Sequence, residues 1–220
     1  MINNNNRTFG FELEFVGIKK DTFREVLKQQ GFPVRISKTI DGLHYWKLVD
    51  DRSLISHNKL SGELVSPILC NQSGLDQAKA VVSLLKNSGA SVNATCGLHV
   101  HVSVRDFKLF QLKKLVERYA DKEDEIDKRM EEARRGNNNK YCLSMREMLK
   151  DPVIGAKFAR ANTKTRIADS FNTRYLKMNL KSLALYDTVE FRQHHATLKS
   201  TEVISWIEYC VNFVEESRAI

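Results

Sequence analysis

Cys96-Gly97-Leu98-His99-Val100-His101-Val102-Ser103-Val104 alternates with period two, the pattern of a β-strand. Leu98, Val100, Val102 and Val104 share one face, which suits a core. His99, His101 and Ser103 share the other. Two imidazoles two residues apart on a strand stand side by side over one surface. Such a pair can hold a metal ion, or one metal and one phosphate. It can also be two solvated histidines on a half-buried strand, and the strand alone does not choose between these readings.

Carboxylates elsewhere in the chain sit on strands of the same style. Thr8-Phe9-Gly10-Phe11-Glu12-Leu13-Glu14-Phe15-Val16-Gly17 places Phe9, Phe11, Leu13 and Phe15 on one face and Glu12 and Glu14 on the other. Two like charges on one strand face repel each other. Water tolerates them, and so does a hard cation such as Mg²⁺ held between them. In Gly62-Glu63-Leu64-Val65-Ser66-Pro67-Ile68, Glu63 is flanked by apolar residues without clean alternation. A buried or cleft-facing carboxylate there needs a partner. Thr188-Val189-Glu190-Phe191-Arg192 reads as a strand with Thr188, Glu190 and Arg192 on one face. A surface ion pair fits that spacing. So does a cleft in which Glu190 holds a metal and Arg192 grips phosphate bidentately.

The chain has 220 residues, 42% hydrophobic and 28% charged, as in an ordinary soluble globular protein. Without a repeat or a linker it reads as one domain over residues 1–220, with residues 1–6 a frayed polar lead. No apolar run approaches the roughly 20 residues of a membrane helix. The start of the chain lacks an apolar signal core, which points to the cytoplasm. Cys70, Cys96, Cys142 and Cys210 form no CxxC pair and read as reduced, mostly buried thiols. A net charge of +8 points to anionic partners: nucleotide phosphates, an acidic substrate or nucleic acid.

Helices are expected over 22–30 with Asp21 as cap and Gly31 as stop, over 73–87 with Ser73 as cap and Gly89 as stop, and over 201–216. A long helix is expected over 109–134, with its charged end from Asp121 to Glu132 read as solvated. Short strands near 34–37 and 44–49 are expected to join through Asp41-Gly42, with Asp50, Asp51 and Ser53 forming a polar corner. Gly136 to Asn139 reads as a flexible tip, 144–162 as short helices broken at Asp151-Pro152, and 175–180 as a strand. From Lys157 to Arg192 the chain is basic, with Lys157, Arg160, Lys164, Arg166, Arg174, Lys177, Lys181 and Arg192 against three acids.

Taken in order, Phe9-Gly10-Phe11-Glu12-Leu13-Glu14, Gly62-Glu63-Leu64-Val65-Ser66-Pro67, Cys96-Gly97-Leu98-His99-Val100-His101, Arg174-Tyr175-Leu176-Lys177-Met178-Asn179 and Thr188-Val189-Glu190-Phe191-Arg192 resemble the motifs of one family. That family is the amidoligase branch of the glutamine synthetase-like carboxylate-amine ligases, and the likeness spans roughly residues 9 to 215. No single motif is specific; five in one order are. The resemblance implies an α+β fold with a curved, mainly antiparallel sheet and helices packed on one face. It implies an ATP-dependent ligase that forms an amide through an acyl phosphate, with Mg²⁺ or Mn²⁺ as cofactor. Glu12, Glu14, Glu63, His99 and Glu190 would hold the metals. His101, Ser103, Arg174, Lys177 and Arg192 would contact the nucleotide, with Arg192, Glu63 and Arg174 as the catalytic set. Small-molecule or peptide acids and amines would be the substrates.

Three other readings compete. A zinc hydrolase using HxHxD lacks its Asp, because Ser103 stands there. A cupin-like metal barrel lacks the following Glu, since Val104 and Arg105 occupy that region. The third is a non-catalytic module of the amidoligase fold that binds nucleic acid or another anion through its basic surface.

Overall fold

Among the described residues, seven strands form one open, mixed, mostly antiparallel sheet, in the order β2 (Val34–Ile36), β3 (Trp46–Val49), β4 (Ser61–Val65), β1 (Phe9–Val16), β5 (Gly97–Ser103), β7 (Thr188–His195), β6 (Met178–Asn179), accompanied by eight α-helices. The fold is α+β, as the motifs implied. The computed structural model describes residues 6–36, 44–51, 53–56 and 60–219. Most of the expected polar lead, the Asp41-Gly42 turn and Ser37 lie outside these residues. The chain divides into two compact units, one comprising Met1–Val100 with His195–Tyr209, the other His101–His194 with Cys210–Ile220.

In the first unit, β1 (Phe9–Val16), β4 (Ser61–Val65) and β3 (Trp46–Val49) pair antiparallel. Phe11, Leu13 and Phe15 of β1, Leu48 of β3 and Leu64 of β4 are fully or almost fully buried. Each such side chain contributes about 1.5–3 kcal/mol of burial. The helix α1 (Lys20–Gln29) adds Phe23 and Leu27. It starts before the expected cap: Lys19 is the cap residue, and Asp21 lies in the first turn, 3.1 Å from Arg24. A carboxylate there complements the helix dipole without capping. The Gly31 stop is confirmed by its φ of 77° and two closing bonds, Gly31 N–H to Lys28 O and Phe32 N–H to Leu27 O.

The strand β2 (Val34–Ile36) corrects the hairpin expectation, because it runs parallel to β3. A tight two-residue turn joins only antiparallel strands. The register is set by Trp46, which donates its N–H to Pro33 O and packs edge-on against Phe11 and Phe32. The helix α2 (Asn71–Asn87) begins two residues before Ser73, with Cys70 as cap, and buries Leu75, Ala78, Val82 and Leu85 as its spacing predicts. Gly89 adopts a left-handed φ of 90° just beyond it.

The strand β5 (Gly97–Ser103) buries Leu98, Val100 and Val102 completely, so the period-two reading holds. In the second unit, α3 (Leu109–Asp127) ends seven residues early. Met130 and Arg134 are buried, and pulling them inward requires the chain to turn into a short 3₁₀ segment at Glu132–Arg134. The Asn run is not a free tip: Gly136 N–H donates to Asp127, and Asn137 accepts from Ser144 N–H. Asp151 caps α5 (Pro152–Arg160) immediately after α4 (Met145–Lys150), as the Asp-Pro break predicts. Two helices had no sequence expectation, α6 (Lys164–Ser170) and α7 (Ser182–Tyr186). The strand β6 is only Met178–Asn179, while β7 runs from Thr188 to His195. They pair antiparallel, Met178 opposite Phe191 and Asn179 opposite Glu190. The helix α8 (Ser200–Arg218) buries Val203, Ile207, Cys210, Val211 and Val214. All four cysteines are free thiols, and among the described residues no helix is long and apolar enough to cross a membrane.

Candidate metal centre and phosphate site

In the first unit, β1 and β4 set Glu14 directly opposite Glu63, with Phe15 opposite Gly62. Like charges in cross-strand register destabilise a sheet. Gly62 permits the close approach, since a Cβ there would meet Lys20 Cγ at 2.8 Å and Phe15 Cζ at 3.0 Å. Glu12, on the same face as Glu14, lies 3.2 Å from His99 Nδ1. One ligand atom each from Glu12, Glu63 and His99 lie within 4.8 Å of one another, and Glu14, Asp51 and Glu63 meet the same limit. His99 and Glu14 are buried, and Glu14 accepts the Gly97 N–H at 2.5 Å. That bond fixes one end of β5 to the carboxylate cluster.

Burial pushes the Glu63 carboxyl well above the usual carboxylate range, and the charges of Glu12, Glu14 and Asp51 push it further. Four carboxylates and one imidazole converge here. An oxygen-rich set with a single nitrogen fits a hard divalent cation such as Mg²⁺ or Mn²⁺, and a cation between the carboxylates would cancel the repulsion. Asp51 was not assigned from sequence beyond a polar corner. Its carboxylate is oriented by Ser53, whose N–H and hydroxyl both donate to Oδ1 at 2.6 Å. The Asp-x-Ser spacing marks such a turn, but only the pairing of Val49 with Glu63 brings it to the cluster.

The second unit holds the other expected residues around β7. Glu190 is buried; Asn179 donates to its Oε2 at 2.6 Å, and Arg192 pairs with its Oε1. The Asn179 amide is itself oriented by Lys181 N–H, which donates to its oxygen at 2.8 Å. His101 places Nδ1 3.2 Å from Thr188 Oγ1 and Nε2 3.9 Å from Glu190 Oε2. Ser103 is half-buried and accepts the Arg105 N–H at 3.5 Å. The guanidinium of Arg192 lies 5.9 Å from the centre of the Tyr175 ring, and that of exposed Arg174 lies 5.2 Å from the same ring. One ring therefore steadies two planar cations. Tyr175 and Asn179 stand in the same motif as Arg174, yet their partners are visible only in the fold.

Lys177 is corrected. Its side chain has 0% exposure, and its ammonium lies 2.8 Å from Glu123 Oε1 and 2.7 Å from Asp127 Oδ1. Two carboxylates therefore balance its charge inside the fold, which argues against the nucleotide contact expected of it. The same contacts overturn the solvated reading of the late part of α3, where Glu123 is buried. Gln193 extends the network by donating to Asp127 and accepting from Tyr119 OH at 2.7 Å.

The α+β fold thus gathers carboxylates and a histidine in one unit, and an Arg-Glu pair with a second histidine in the other. The chain belongs to the amidoligase family: the family model described as "Putative amidoligase enzyme" matches residues 5–214. That description makes a ligase its coarse functional class. No curated protein and no solved structure matches the chain.

Proposed function

We propose that the chain is an ATP-dependent carboxylate-amine ligase. The observation that supports this most is the pair of groups that share Glu63, Glu12 and His99 on one side and Glu14 and Asp51 on the other, a cluster of acids that a divalent cation would stabilise. Glu12, Glu14, Glu63 and His99 of the first unit would hold Mg²⁺ or Mn²⁺, and Glu190 would hold a metal in the second unit. Bound there, the metal would neutralise the triphosphate and the charge building on the transferred phosphoryl group. Arg192 and Arg174 offer planar forks to phosphate oxygens, and Tyr175 limits the freedom each must lose. His101, held by Thr188, and Ser103 on the same strand face would contact the phosphates.

A carboxylate is a poor electrophile, and an amine does not displace oxide from it. Attack of the substrate carboxylate oxygen on the γ-phosphorus of ATP gives ADP and an acyl phosphate. Attack of the amine nitrogen on that carbonyl carbon then expels phosphate and leaves the amide. The acid and the amine are small molecules or peptides in this reading. The test offers the purified protein ATP, Mg²⁺ and panels of acids and amines and measures ADP. Release that needs both substrates, that Glu12→Gln abolishes and that Arg192→Lys sharply lowers, supports the reading. The non-catalytic alternative is favoured if no pair releases ADP and oligonucleotides bind without metal, with affinity falling steeply with salt.

A further inference from the structure

The second unit carries cations that neither the candidate site nor the fold uses. The helices α5 and α6 border a groove of about 640 Å³. Pro152, Val153 and Ala156 give it an apolar wall, and Lys157, Arg160 and Arg166 give it positive charge. Its one acid, Asp169, is already paired with Lys181 at 3.2 Å. The side chains of Lys157 and Arg160 make no ion pair or hydrogen bond among the described residues. The Arg166 guanidinium donates to Asn162, a neutral amide, at 3.0 Å and to no other described residue. Lys157 and Arg160 lie in the last turn of α5, where the helix dipole favours a cation; Arg166, in the first turn of α6, gains no such support. Three uncompensated cations around one groove repel each other, and an anion relieves them. Beside them Val153 is 63% exposed, an apolar surface that a bare phosphate would not cover.

We propose that this groove docks an acidic peptide segment, its carboxylates on Lys157, Arg160 and Arg166 and an aliphatic side chain against Val153 and Ala156. Recognition of acidic motifs by Arg clusters is a known mode of peptide binding. No aromatic residue lines the groove, so it lacks the stacking platform on which single-stranded nucleic acid sites depend. The surface stands independently of the ligase reading.

The test uses the full chain in EDTA without ATP, so that the candidate metal centre plays no part. Fluorescence anisotropy follows a labelled Glu-Glu-Leu-Glu-Glu-Leu peptide, its Gln-for-Glu counterpart and a labelled oligothymidylate. The expected result is saturable binding of the acidic peptide that weakens with salt. The Gln peptide should bind about tenfold or more weaker, and the Lys157→Ala/Arg160→Ala/Arg166→Ala variant should lose the acidic peptide to the same extent. Circular dichroism checks folding, and Arg166→Glu alone serves if the triple variant unfolds. The proposal is overturned if the acidic peptide does not bind, if the variant or the Gln peptide binds as well as the parent pair, or if the oligonucleotide binds more tightly.

Discussion

Replacing Lys177 with Met tests whether its charge serves the fold or a nucleotide. The ammonium is held by Glu123 Oε1 at 2.8 Å and by the two Asp127 oxygens at 2.7 and 2.9 Å. The Glu123 and Asp127 side chains are themselves only 4% and 14% exposed. Lys177→Met keeps most of the side-chain volume, so the cavity term is small. It leaves two carboxylates facing each other in a poorly solvated place. Removing one partner of a buried ion pair costs about 3–5 kcal/mol. For a chain of this size that lowers the melting temperature by roughly 6–20 °C. Asp127 keeps its bonds from Gly136 N–H and Gln193, which places the loss toward the lower part of that range. Lys177→Met/Glu123→Gln/Asp127→Asn removes the orphaned charges and should recover most of the stability. Urea titration followed by circular dichroism measures both variants. ATP binding to Lys177→Met, measured well below its transition, should stay within about twofold of the parent. A loss below about 1 kcal/mol together with a large fall in ATP affinity would refute the structural role and return Lys177 to the phosphate site.

Three further outcomes follow from named contacts. Arg192→Lys keeps the charge but loses the fork, so ATP-dependent turnover should fall by roughly 10²–10³ while the chain still folds, measured by ADP release and circular dichroism. Glu63 is held protonated in the folded chain at pH values where the unfolded chain has released that proton, so metal-free stability should decline as pH rises from its ordinary value of 4.5. Melts across a pH series in EDTA should show this decline; Glu63→Gln should remove it, and Mg²⁺ at about 100 times its dissociation constant should add about 2.7 kcal/mol to the parent alone. Gly62→Ala brings a methyl to 2.8 Å from Lys20 Cγ and should cost about 1–3 kcal/mol by chemical denaturation, because Phe15 blocks the other side at 3.0 Å.

Strand-forming runs were legible because side-chain alternation is a local property of the backbone. Leu98, Val100 and Val102, and Phe11, Leu13 and Phe15, are buried where period two places them. Helix stops at Gly31 and Gly89 were legible for the same reason: a left-handed φ is a demand on one residue. Helix starts at Lys20 and Asn71 were not, since the expected caps Asp21 and Ser73 make no cap bond. The five motif stretches, which identified the family, named Glu12, Glu14, Glu63 and His99, and the fold brings these four into one cluster with Asp51.

What the chain alone could not decide are the pairings that cross long stretches of sequence. Glu123 and Asp127 stand in a run of charges that reads as solvated, and their partner lies 54 and 50 positions away at Lys177. The direction of β2 against β3 follows from burying Trp46 between Phe11 and Phe32, a packing choice that local propensity does not contain. Asp51 joins the acidic cluster only because β3 lies beside β4. Alternation, capping and turn chemistry act over a few bonds and are written in neighbouring residues. The partner of a charge and the register of a strand are settled by desolvation summed over the whole packed chain.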